Sequence, residues 1–117
     1  GRITLMFMAV VEGPPMILRL YGEGSVVLPD TPEWEKISKH FELLPGVRQI
    51  IYMKINMVKT SCGYSVPFYS YSGERDTLQQ WAAKKGEEGL IEYRQEKNSI
   101  TIDGIVTPIG EKSNTVQ

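Results

Sequence analysis

Val47-Arg48-Gln49-Ile50-Ile51-Tyr52-Met53-Lys54-Ile55-Asn56-Met57-Val58-Lys59 is the stretch on which the fold turns. Val47, Ile51, Met53, Ile55 and Met57 fall on one side of an extended chain, with Lys54 and Asn56 on the other. Side chains alternate across a strand with a period of two, so the segment reads as a half-buried β-strand. Upstream, Met16 to Leu28 repeats the pattern. Met16, Leu18, Leu20, Val26 and Leu28 share one face, and Arg19, Tyr21, Glu23 and Ser25 the other. Gly22 and Gly24 lie on the apolar face, where glycine marks a bulge or the sharp bend by which a strand turns a barrel corner. Further back, Arg2 to Val11 is almost continuously apolar and stops at Gly13-Pro14-Pro15. Such a run calls for neighbours on both sides. No Met precedes Gly1-Arg2, and the strand begins at once, which predicts that an N-terminal part comes before this chain.

Between the second and third strands the period changes. Asp30-Thr31-Pro32-Glu33 predicts a helix start, with Thr31 as N-cap and Pro32 in the first helical position. Trp34, Ile37, Phe41 and Leu44 follow at helical spacing, and Pro45-Gly46 ends the run. Downstream, Thr60-Ser61-Cys62-Gly63-Tyr64-Ser65-Val66-Pro67 leads into an aromatic loop with Phe68, Tyr69 and Tyr71, expected to pack on something. A helix opens at Gly73-Glu74-Arg75-Asp76-Thr77, carries Leu78, Trp81 and Ala82, and stops at Gly86. A second short helix runs from Glu87 to Asn98 with Leu90 and Tyr93 inward. Ile100 to Ile105 is expected as an edge strand, and residues 109–117 as a polar tail after a single domain over residues 1–108.

The totals narrow the function classes. A chain of 117 residues and 13.2 kDa fits one domain, whose core hides roughly 65% of the unfolded surface. The net charge of −1 offers no broad basic field for nucleic acid, and the apolar runs are far shorter than the ~20 residues of a membrane helix. Cys62 is the single cysteine, so no internal disulfide forms, which points to a reducing, cytoplasmic setting.

No catalytic signature stands out. There is no His and carboxylate set at metal spacing, no phosphate loop and no nucleophile elbow. His40, the lone histidine, reads as a surface or half-buried helix residue, and Cys62 as a packed thiol with no neighbouring cation in sequence. What remains is polar residues on apolar elements: Arg19 in the second strand, Arg48 at the start of the third, Ser61 and Cys62 at its end, and Arg75 at a helix mouth. Each arginine is a surface charge or, if several converge, part of a phosphate site, since the planar fork matches phosphate oxygens. Tyr64, Phe68 and Tyr69 could stack on a flat ring or pack among themselves or against a second subunit.

The segments Lys59-Thr60-Ser61-Cys62-Gly63-Tyr64-Ser65-Val66-Pro67, Gly73-Glu74-Arg75-Asp76-Thr77-Leu78 and Trp81-Ala82-Ala83-Lys84-Lys85-Gly86 resemble the pyridoxamine 5′-phosphate oxidase-related, FMN-binding split-barrel proteins. Gly1-Arg2-Ile3-Thr4-Leu5-Met6-Phe7, Leu18-Arg19-Leu20-Tyr21-Gly22-Glu23-Gly24 and Ile102-Asp103-Gly104 follow in matching order, and the resemblance reaches about Pro108. It implies a mainly β fold with helices, a six-stranded split β-barrel here lacking its N-terminal strands. It further implies a homodimer with FMN in clefts at the subunit interface, and a flavin oxidoreductase activity. The missing front strands would carry much of the flavin phosphate site. Ser61, Cys62, Gly63 and Tyr64, with Arg19 and Arg48, are the implied cofactor-binding residues. The competing expectation is a non-catalytic dimeric scaffold on the same fold.

Overall fold

The computed structural model describes residues 1–114. They form two compact units, one of Gly1–Lys36 with Gln49–Glu74 and one of Ile37–Arg48 with the described residues from Arg75 onward.

The first unit is built on a three-stranded antiparallel sheet in the order β1 (Arg2–Met8), β2 (Met16–Val27), β3 (Ile50–Cys62). The described residues therefore show a mixed fold of antiparallel strands and helices. The first strand is shorter than its apolar run, because the Ala9 amide bonds the Met16 carbonyl at 3.0 Å and the chain turns there. The third begins later than its alternation predicts. Gly46 has φ 90° and the Val47 amide reaches back to the Leu44 carbonyl, so extension starts only at Ile50. At its far end β3 continues past Lys59 to Cys62, because β2 supplies partners as far as Met16↔Cys62. Ser61 and Cys62 thus stand at the end of β3, as expected.

The expected irregularity at the glycines is present. Register shifts between Tyr21 and Gly22: Tyr21 faces Met57, Gly22 faces Ile55, and Asn56 is left over as the bulged residue. A Cβ on Gly22 would collide with the Lys54 carbonyl oxygen, so only glycine allows this close approach. The bulge also breaks the strict alternation expected in β3. Ile51, Met53 and Ile55 share a face with Leu18, Leu20 and Val58, whereas Met57 joins Arg19 and Tyr21 on the opposite one.

Little of this apolar surface is covered. Leu5, Phe7, Ile51, Ile55 and Val58 are exposed, and among the described residues the buried hydrophobic ones are Val27 (7% exposed), Ala82 (1%) and Leu90. Among the described residues the sheet buries little of either face, since a single sheet needs a second layer to bury a face.

Helix α1 spans Pro32–Ile37 and begins as its sequence predicts. The Trp34 amide donates to the Thr31 hydroxyl at 3.2 Å, which in turn donates to the Leu28 carbonyl at 2.8 Å. Thr31→Ala should lower the thermal stability of the sheet unit by about 1 kcal/mol, read as the melting midpoint against the wild type. The helix is shorter than its apolar stripe, because Ser38–His40 tightens into a 3-10 turn and Phe41 is extended. Phe41 and Leu44 are consequently exposed, and His40 is an exposed residue of the 3-10 helix.

In the second unit, helix α2 runs Thr77–Asn98 with a break at Gly86 (φ 71°, ψ 173°), which matches two helices separated by a glycine stop. Ala82 lies in the first half and Leu90 in the second. Trp81 and Tyr93 meet edge to face across the break, 5.0 Å between centroids, with the Lys85 ammonium near both rings. Arg94 donates to the carbonyls of Gly46 and Val47, and Arg48 donates to Asn98 Oδ1 at 3.0 Å. The exposed neighbours Glu96 and Lys97 form an ion pair that lowers the carboxyl pKa and raises that of the ammonium. The expected edge strand at Ile100 to Ile105 reduces to one bridge, Ile100↔Val106, around a turn with Gly104 at φ 79°. What was expected as a polar tail starts as helix α3, Pro108–Asn114, capped by Thr107, whose hydroxyl accepts the Gly110 amide at 3.2 Å. The remainder of that tail, residues 115–117, lies outside the described residues.

Candidate functional site

The sheet unit brings together two of the residues singled out from sequence. Arg19 and Ser61 stand diagonally across β2 and β3, and Arg19 Nη1 donates to Ser61 Oγ at 2.9 Å. Directly opposite Arg19 is Lys59. Like charges at directly paired positions repel, yet among the described residues neither cation has a carboxylate partner. Arg19 is half-buried and oriented by the serine, whereas Lys59 is exposed. The pair is a positive spot, oriented at Arg19 by Ser61, whose donor set fits an anion with several oxygens. Lys59 was legible as a strand residue, but its importance depends on cross-strand register, which no local pattern reveals.

The neighbouring candidates divide. Cys62 pairs with Met16, on the face opposite Ser61, and is an exposed free thiol, not the packed one expected. Gly63 is buried, and a Cβ there would sit 2.8 Å from the Met16 amide nitrogen, so the start of β2 explains this glycine without a ligand. Its carbonyl accepts the Val66 amide at 2.9 Å, closing a turn around Tyr64 and Ser65. Tyr64 is 83% exposed, and Phe68, Tyr69 and Tyr71 are exposed too, so the aromatic loop does not pack down as predicted. It is tied to the sheet by the Tyr69 amide on the Val10 carbonyl at 2.8 Å. Tyr71 donates to Glu74 at 2.7 Å, and this bond raises the phenol pKa. Arg48 and Arg75 belong to the helical unit, with Arg48 held by Asn98.

One cavity on the sheet was not foreseen. A volume of about 320 Å³ opens at the bulge, lined by Arg2, Ile3, Thr4, Tyr21, Gly22, Glu23, Asn56 and Met57. Among the described residues no group of three or more His, Cys, Asp or Glu could hold a metal ion, and no helix is long and apolar enough to cross a membrane.

Comparison with known proteins gives one similarity. The chain is 29% identical, over an alignment of 122 positions, to a curated protein of Aspergillus flavus named pyridoxamine 5′-phosphate oxidase family protein ustO. The alignment takes in 90% of this chain but 48% of the relative, so the chain spans about half the length of the protein it matches. No family model matches, and no solved structure matches.

Proposed function

We propose that this chain is part of an FMN-binding, pyridoxamine 5′-phosphate oxidase-like flavin oxidoreductase. The observation that carries this reading is the similarity to the Aspergillus flavus protein over 90% of the chain. The segments Lys59–Pro67 and Gly73–Leu78, which resemble the same family, agree with it. The split barrel belongs to the same proposal. The antiparallel sheet with its bulge at Gly22 would form one side of it, and further strands would cover the exposed Leu5, Phe7, Ile55 and Val58 face. A homodimer in a reducing, cytoplasmic setting completes the proposal, with the exposed aromatic loop available to the subunit contact.

Ser61, Cys62, Gly63 and Tyr64 form the corner proposed to lie along the flavin, with Arg19 and Arg48 as further cofactor contacts. The residues present fit such a group at Arg19 and Ser61, where an oriented guanidinium has no acidic partner among the described residues. When bound, FMN supplies the redox chemistry. The chain's own part is to hold and orient: Ser61 fixes the Arg19 guanidinium, and the packing of Gly63 on Met16 sets the path of the corner.

Catalysis is tested by loading the protein with FMN and adding candidate electron donors without oxygen. Bleaching of the bound flavin and its recovery on admitting oxygen is the expected result. Bound flavin that no donor bleaches would instead support a scaffold role.

A further inference from the structure

The break in α2 builds a second polar feature, away from the sheet. In an unbroken helix Trp81 and Tyr93 would stand about 18 Å apart along the axis. The break at Gly86 (φ 71°, ψ 173°) instead brings their ring centroids to 5.0 Å, with the planes at 74°. Both residues are 37% exposed, so the corner between the rings opens to water. Lys85 carries its ammonium over both rings, 5.6 Å from the Trp81 centroid and 5.2 Å from that of Tyr93. Among the described residues this ammonium has neither a carboxylate nor a carbonyl partner. Glu96 adds negative potential: Lys97 is the main cause of its lowered carboxyl pKa, and Lys85 contributes as well.

We infer that the Trp81–Tyr93 corner binds a quaternary ammonium group, with Lys85 as its displaceable internal occupant. The rings show that the place accepts a cation, since each aromatic face attracts positive charge through its quadrupole. Hydrogen bonding decides which cation. A lysine ammonium has three N–H donors to satisfy, and this corner gives it two π faces and no acceptor. A trimethylammonium group has no N–H at all, so the same two faces meet its needs more fully. Lys85, displaced, turns into water on its flexible four-carbon stem, where every donor finds a partner. The walls are also fixed before a ligand arrives, because the ring pair is set by the backbone at Gly86, and little freedom is lost on binding.

The probe is choline, titrated into the full chain with sodium chloride added to keep the ionic strength constant. The chain has 2 tryptophans, so a Trp34→Phe background leaves Trp81 as the indole whose emission is read. That emission should change saturably with choline. 3,3-Dimethylbutan-1-ol, the neutral molecule of the same shape, should bind roughly tenfold more weakly, the difference measuring attraction of the charge to the rings. Lys85→Gln, at an exposed position, removes the internal competitor and should tighten choline by roughly threefold. Tyr93→Leu should weaken choline by about tenfold, whereas Tyr93→Phe keeps the ring and should stay within about twofold of the parent. Far-UV circular dichroism of each variant shows that the helices remain. Equal affinity for choline and the neutral alcohol would overturn the inference. So would the lack of a saturable change in both the parent and Lys85→Gln, or weaker choline binding after Lys85→Gln.

Discussion

Gly22→Val should cost the sheet unit about 3 kcal/mol or more, enough to leave a marginal domain largely unfolded at ambient temperature. Even the first added carbon would overlap the Lys54 carbonyl oxygen and press on the Lys54 carbonyl carbon and Ile55 Cα. These are backbone atoms, so no rotamer change relieves the clash; β2 and β3 must separate or slip. A slip of one residue would turn every apolar side chain of β3 to the wrong face. Circular dichroism and thermal melting read the loss directly. Gly24→Val is the control. A Cβ there meets the Ile3 side chain at 3.2 Å, which can give way, so its effect should be distinctly smaller.

The second large effect is expected at Gly63. Its Cα packs on β2, with a Cβ position only 2.8 Å from the Met16 nitrogen and 3.3 Å from Met16 Cα. Gly63→Val should therefore pry the Ser61–Tyr64 corner from the start of β2, at a stability cost of about 1–3 kcal/mol. On the flavin reading it should also lower FMN affinity by about tenfold or more, because the residues proposed to line the cofactor lose their frame. Melting and flavin titration on the same sample separate the two consequences. A stability loss with unchanged FMN affinity would remove this corner from the cofactor site.

The two glycines also show what a reading of local sequence can reach. Gly22 on an apolar face was enough to expect a bulge, and the bulge is there. Which residue it expels, Asn56, depends on how β3 meets β2, and no period within β3 encodes that. For the same reason Met57, expected beside Ile55, falls on the opposite face, next to a cavity that no local pattern indicates. Local chemistry did fix other features. Thr31-Pro32 marked a helix start that the hydroxyl cap confirms, and Gly86 marked the break in α2. The same Thr-Pro signature stands at Thr107-Pro108, where α3 begins without an apolar stripe to mark it. The Trp34–Leu44 stripe overran its helix because helical spacing does not register that Ser38–His40 tightens into a 3-10 turn. At the candidate site, Arg19 and Ser61 were each legible as polar residues on apolar strands. Their bond is a diagonal contact between positions 42 residues apart. Lys59 acquires meaning only through the same register.

Uptake of FMN by this chain is read in a fluorescence titration. Flavin emission should be quenched saturably as protein is added, and flavin colour should remain with the protein through desalting. Emission that stays unchanged as protein is added in excess, with colourless protein after desalting, would contradict it.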